Sequence, residues 1–272
     1  MPKISVVKQT AKMALKNKWP SAICVFVVAA AVFAVRTMLA SLLNMIFAFA
    51  LSSSAGNWVL FGISAFLTVL DIFVFGPAYL GALRWFWQVS VGTYEPVFTV
   101  FYYYNDPGEY KKAIGVAFGI AWRGALYSII SFLPLGGVTV LMSMMTASME
   151  EFSPLLQTGM IYIWLLTAIL GVLLVVTLFT KYFPLAGVLF SDESLTARRA
   201  FKVAKMISRG RRAGFMYLLL TLFGFIMMCV VAIPMLWVVP YLLTSYSVYT
   251  RYSITDFNLE NSGGPENGIL EK

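Results

Sequence analysis

The chain has 272 residues, of which 60% are hydrophobic, 16% aromatic and only 12% charged, and its mean hydropathy is +0.81. An ordinary soluble domain carries about 25% charged residues, so a water-soluble particle is excluded and an all-α integral membrane protein is indicated. A net charge of +8 without any histidine removes the commonest general base and metal ligand together. Nucleic acid is excluded as the reason for that charge, because no soluble basic domain presents it.

Residues 1–18, MPKISVVKQTAKMALKNK, hold five lysines and no acid. Ile4, Val7, Ala11, Ala14 and Leu15 share one side of a helix, and Lys8, Lys12 and Lys16 line its flank, which predicts a basic interfacial helix. An apolar run follows, broken by Arg36, and gives a first span over 19–45. The run is far longer than the roughly 7–15 residues of a signal-peptide core. It is therefore read as a retained span, although Ala48-Phe49-Ala50 mimics a cleavage site. Leu51 to Asn57 forms an uncharged outer turn, and a second span covers 58–83 with Asp71 inside it.

The next loop holds the chain's largest aromatic cluster. Its Glu95–Tyr104 part predicts a short interfacial helix ahead of a turn at Asn105-Asp106-Pro107-Gly108. A third span over 113–133 carries Arg123 and is expected to break at Pro134 and Gly136-Gly137. Glu150, Glu151 and Pro154 make an acidic outer loop. A fourth span over 157–190 contains Lys181 and Pro184.

Ser191 to Phe215 predicts a second basic helix, capped by Asp192 or Ser194 and ended by Gly210. Arg198, Arg199, Lys202, Lys205 and Arg209 project to one side of it. Ala197, Ala200, Phe201, Ala204, Ile207 and Ser208 project to the other. The apolar stretch from Gly214 to Tyr249 exceeds the about 20 residues of one span. With Pro234 and Pro240 it reads as two spans, 214–232 and 235–251, turning near Ala232–Pro234. Residues 253–272, with Gly263, Gly264, Pro265 and four acids, are expected to be a disordered acidic tail.

The expected domain plan is a basic N-terminal helix (1–18), a six-span membrane bundle (19–252) and the tail (253–272). Twelve of the twenty Lys and Arg lie in residues 3–18 and 198–212, and Arg84, Lys111 and Lys112 fall on the same side. The outer turns carry none, so the positive-inside rule places both termini in the cytoplasm. An internal repeat is also suggested. Ala11-Lys12-Met13 and Lys16-Asn17-Lys18 match Ala204-Lys205-Met206 and Arg209-Gly210-Arg211 in spacing. With the Glu95–Tyr104 element, the chain reads as three copies of an interfacial helix followed by a helical hairpin.

Several motifs are similar to a polytopic bacterial membrane family, domain-of-unknown-function family 975. They are Gly76-Pro77-x-x-x-Gly81; Gly92 with Pro96-Val97-Phe98 and Phe101; Asp192, Ala200, Gly210 and Phe215; and Pro240-Tyr241 with Tyr249. Gly76-Pro77-Ala78 and Tyr182-Phe183-Pro184-Leu185 also resemble the YesL-like family. The resemblance implies a bacterial membrane location and a helical fold, and it transfers no reaction and no site.

Arg36, Asp71 and Arg123 are the candidate intramembrane polar cluster. Charges at mid-depth are costly, so they normally face the bundle and pair. One reading has Asp71 bridging two arginines and leaving an excess positive charge for an anionic group; the other has a buried pair fixing helix register. Arg198, Arg199, Lys202, Lys205, Arg209, Arg211 and Arg212 are the candidate surface for anionic lipid or a partner, each charge contributing about 1 kcal/mol near an anionic leaflet.

Met142, Met144, Met145 and Met149 could supply thioethers to Cu(I), but without His or Cys beside them they read as flexible apolar surface. Cys24 and Cys229 lie in apolar runs and offer no disulfide framework. Neither a catalytic motif nor a cofactor or metal site is expected. The expected function is therefore a non-enzymatic accessory or scaffold protein of the bacterial cytoplasmic membrane, in contact with its anionic inner leaflet and with a membrane-protein partner. The alternatives are a transporter or channel for a small anionic solute or lipid headgroup using the Arg/Asp cluster, and an intramembrane lipid-modifying enzyme.

Overall fold

A computed structural model describes residues 3–47, 56–93, 95–148, 154–228 and 232–261, and every regular element among them is helical. The chain divides into two compact units, residues 1–118 with 182–272, and residues 119–181.

The first unit opens with α1 (Ile4–Leu15) and α2 (Trp19–Ile46). Next come α3 (Gly56–Leu70), a π-helical segment (Asp71–Phe75) and α4 (Gly76–Val91). A 3-10 helix (Val97–Phe101) and the one-turn α5 (Tyr102–Asn105) lead into α6 (Pro107–Ser148), which enters the second unit. There α7 (Pro154–Phe179) runs into a 3-10 turn at Thr180–Tyr182. The first unit resumes with α8 (Leu185–Ser191), α9 (Ala197–Ser208), α10 (Arg212–Met228) and α11 (Ala232–Asn261).

Four stretches are long and apolar enough to cross a membrane: Trp19–Ile46, Trp58–Val91, Pro107–Met145 and Thr158–Ser191. A fifth is reached by joining α9 to α10, which meet at an 84° bend. This fits a multi-pass membrane protein, with four or five long apolar crossings among the described residues beside the six expected from composition.

Other boundaries move for physical reasons. α6 continues through Pro134; a proline inside a spanning helix frees few backbone groups, whereas ending the helix in hydrocarbon would free many. The expected single helix over 157–190 is instead interrupted at Thr180–Tyr182, and α8 restarts after Pro184. The Glu95–Tyr104 element begins only after Pro96, as a 3-10 turn. The helix expected within 191–215 is α9, which starts at Ala197 and stops before Gly210, whose φ of +81° turns the chain into α10.

Ala232–Pro234, where a turn was expected, begin α11, α10 ends at Met228, and residues 229–231 between the two helices lie outside the described residues. Residues 253–261, assigned to a disordered tail, also continue α11, with Ser253 and Ile254 buried. The outer turn at 51–55, Glu150-Glu151 and residues 262–272 lie outside the described residues.

Burial concentrates in the elements nearest the ends of these helices. In α4, Trp85 and Phe86 are almost fully covered, as are Val188 and Leu189 in α8 and Val248 and Tyr249 in α11. Thr244, Ser247 and Ser253 of α11 satisfy their hydroxyls on the carbonyls of Pro240, Leu243 and Tyr249. These small polar side chains let α11 lie close against α1 and α4. At Gly187 a methyl group would collide with Thr250 and Trp87, and at Gly81 with the Val100 carbonyl. The Gly76-Pro77-x-x-x-Gly81 motif is thus a packing device, Gly76 admitting Ala117 of α6 and Gly81 admitting the 3-10 backbone.

The proposed repeat has a structural counterpart. α1 and α2 start at 4 and 19, and α9 and α10 start at 197 and 212, with identical spacing. Val7, Ala11 and Leu15 correspond to Ala200, Ala204 and Ser208, and all six are 0% exposed. The connecting turns share their hydrogen bonds: Lys18 N–H to Leu15 O at 2.9 Å and Arg211 N–H to Ser208 O at 3.1 Å, then Ala22 to Lys18 O and Phe215 to Arg211 O. Within the first unit, the 3-10 helix packs on α4, α9 packs on α8, and α1 packs on α11. Each copy's leading element thus rests on the trailing helix of the copy before it, and α1 closes the cycle.

Candidate functional site

Arg36 and Asp71 meet. The Arg36 Nε donates to Asp71 Oδ1 at 3.2 Å and Nη2 to Oδ2 at 3.1 Å, a two-point pairing between α2 and the π segment. Their side chains remain 32% and 39% exposed. Each residue lies about one helical turn from the midpoint of its long helix. Arg123 belongs to the second unit, where its Nη1 donates to the Gly119 carbonyl at 2.9 Å.

The π segment that carries Asp71 ends against Pro77, whose missing N–H removes one possible donor to the Phe73 carbonyl. The Tyr110 hydroxyl supplies one at 2.9 Å. The Tyr104 hydroxyl donates to the neighbouring Val74 carbonyl. Two tyrosines from the loop and α6 therefore hold the break in the second long helix.

The second candidate site is the outer side of α9. Ala200, Phe201, Val203, Ala204, Ile207 and Ser208 are buried against the protein, and Arg198, Arg199, Lys202, Lys205 and Arg209 are exposed. The apolar side is consumed by the core that α9 shares with α4, α8 and the start of α6, so it has nothing left to insert into lipid. Arg211 leaves the expected surface: it is 6% exposed, pairs with Glu260 at 2.6 Å and donates to the Ile207 carbonyl at 3.2 Å. Arg212 is half-buried, with its Nε atom covered.

The expected cap is also different. Asp192 Oδ1 accepts from the backbone and hydroxyl of Ser194 at 2.9 and 2.6 Å, while Thr196 occupies the N-cap without a side-chain bond.

A third charged group was read only as an inner-side charge. Arg84 is 7% exposed, lies 3.8 Å from the centroid of the Tyr102 ring and donates to Glu193 at 2.7 Å. Lys112 donates to the Glu193 carbonyl and lies 3.4 Å from the Glu109 carboxylate. Burial pushes the phenols of Tyr102 and Tyr103 up from their ordinary range, so both stay neutral hydroxyls around the cation. Two cations from separate helices thereby pin the loop that starts α9. The sequence shows only an arginine directly before Trp85-Phe86-Trp87, with nothing that names Tyr102 or Glu193 as its partners.

Among the described residues no three His, Cys, Asp or Glu side chains come together as a metal site. A surface pocket of about 330 Å³ in the second unit is lined by Thr139, Met142, Ser143, Ile161 and Trp164. The Trp164 indole N–H donates to the Thr139 hydroxyl there at 3.3 Å. No protein-family model, curated protein or solved structure matches the chain.

Proposed function

We propose that this chain is an accessory or scaffold protein of the cytoplasmic membrane, without catalytic chemistry of its own, that offers the outer side of α9 to an acidic partner on the cytoplasmic side. The observation that supports this reading is the division of α9. Its apolar side is wholly buried in protein while five cations on the other side stay exposed. A helix that only bound the leaflet would reserve its apolar side for lipid. A loop that only set topology would need no fixed face.

Pinning of the preceding loop by Arg84 and Lys112 holds that face in one orientation, which favours recognition. The test is charge reversal, Arg198, Arg199, Lys202 and Lys205 to Glu, with the purified protein in lipid nanodiscs. Loss of a cross-linked partner from native membranes, with unchanged retention on the nanodisc, is the expected result. Equal recovery of the partner by wild type and variant would remove the proposal.

A further inference from the structure

The Arg36–Asp71 pair is incomplete. A guanidinium has five N–H donors and a carboxylate about four acceptor sites. Two donors of Arg36 are used, both on Asp71; Tyr79 lies near both charges, and no further hydrogen bond reaches Arg36 among the described residues. About a third of each side chain is uncovered, close to the midpoint of helices that cross the bilayer. Hydrocarbon cannot hydrogen-bond to these groups, and charges left there cost several kcal/mol each. Both lie too far from either end of their helices for a headgroup to cover them easily.

The surrounding surface is that of a helix–helix contact. Ser64 and Thr68 precede Asp71 on the same side of the helix, at the i, i+4, i+7 spacing, and both are exposed. The Thr68 hydroxyl bonds to the Ser64 carbonyl at 2.8 Å, so it adds little bulk and no unmet donor. Small side chains of this kind allow two spanning helices to approach closely. Phe61, three residues before Ser64 on the same side, is 69% exposed.

The unmet groups are complementary to each other, donors on Arg36 and acceptors on Asp71. A two-fold contact between identical chains inserted in the same direction brings equivalent residues to the same depth. Arg36 of each copy then donates to Asp71 of the other, closing an alternating ring of four charges. We infer that the side of α2 and α3 around Arg36 and Asp71 is a homodimer interface within the membrane, its occupant a second copy of this chain. This rests on the membrane reading and is independent of the basic side of α9.

The test uses a chain with Cys24 and Cys229 replaced by alanine and one cysteine introduced by Thr68→Cys, oxidised in native membranes. A covalent dimer is expected for Thr68→Cys and none for Leu220→Cys, whose position on α10 is 69% exposed. Because Thr68→Cys keeps both charges, it does not depend on a variant that risks misfolding.

In liposomes, energy transfer between labelled wild-type copies is expected to persist on dilution with lipid. Asp71→Asn should weaken association about tenfold or more, and the exchange Arg36→Asp with Asp71→Arg should restore it. Cross-linking no greater at Thr68→Cys than at Leu220→Cys, or energy transfer lost on modest dilution of wild type, would overturn the interface while leaving the membrane reading intact. Release of the chain by alkaline carbonate would overturn both together.

Discussion

α1 with α2, and α9 with α10, are two versions of one structure that differ in how many cations they expose, three in the first and five in the second. Their starts, connecting turns and three buried positions coincide. Around α1 two of the five lysines turn back onto the protein, Lys8 to the Thr221 carbonyl and Lys18 to the Thr93 carbonyl, while Lys3, Lys12 and Lys16 are exposed. Around α9 five cations stay on the outside, and Arg211, the counterpart of Lys18, turns inward. The shared part is therefore the buried register, fixed by close packing. The exposed side is where the two copies diverge, and divergence there costs little stability.

The sharpest way to break this equivalence is to bury a charge at matched positions. Ala11→Glu and Ala204→Glu each place an unpaired carboxylate at a site with no exposure, which costs several kcal/mol. Both are expected to abolish a monodisperse peak in detergent size-exclusion chromatography. Survival of one and loss of the other would show that the two registers are not equivalent.

Next in size is Gly187→Leu, whose side chain has no room beside Thr250 and Trp87. Overpacking of about 1–3 kcal/mol or more should lower the thermal midpoint, and Gly136→Leu, with open space around it, should leave it unchanged. Tyr110→Phe comes third. It removes the Tyr110 hydrogen bond to the Phe73 carbonyl beside the proline break, a loss of about 1 kcal/mol. A thermal midpoint unmoved by this change would show that the break needs no outside donor. The smallest stability effect is expected for Arg198→Glu with Lys202→Glu, within about 0.5 kcal/mol, even though partner recovery falls.

Much of this was legible in the sequence because the determinants are local. Val7, Ala11 and Leu15 repeat at helical spacing, so their burial follows from period alone. The separation of basic and apolar sides on α9 was readable for the same reason. Arg211 was not, because its inward turn depends on Glu260, whose stretch carries the composition of a disordered tail. Pro134 misled because a proline reads as a break from sequence alone, whereas hydrocarbon favours keeping the helix intact. Arg84 gave no warning that it would lie under Tyr102 and reach Glu193 across the fold.

Sequence by itself determined the solvent in which this protein lives, because apolar content and charge scarcity are additive over the chain. It also determined which sides of α1 and α9 face inward, since both follow from spacing along one helix. Only the tertiary structure decided what those inward sides touch. It placed protein rather than lipid against α9, joined Arg36 to Asp71 through two hydrogen bonds, and closed α1 onto α11. Each of those outcomes depends on groups far apart in the chain meeting at one distance and orientation, which local spacing does not encode.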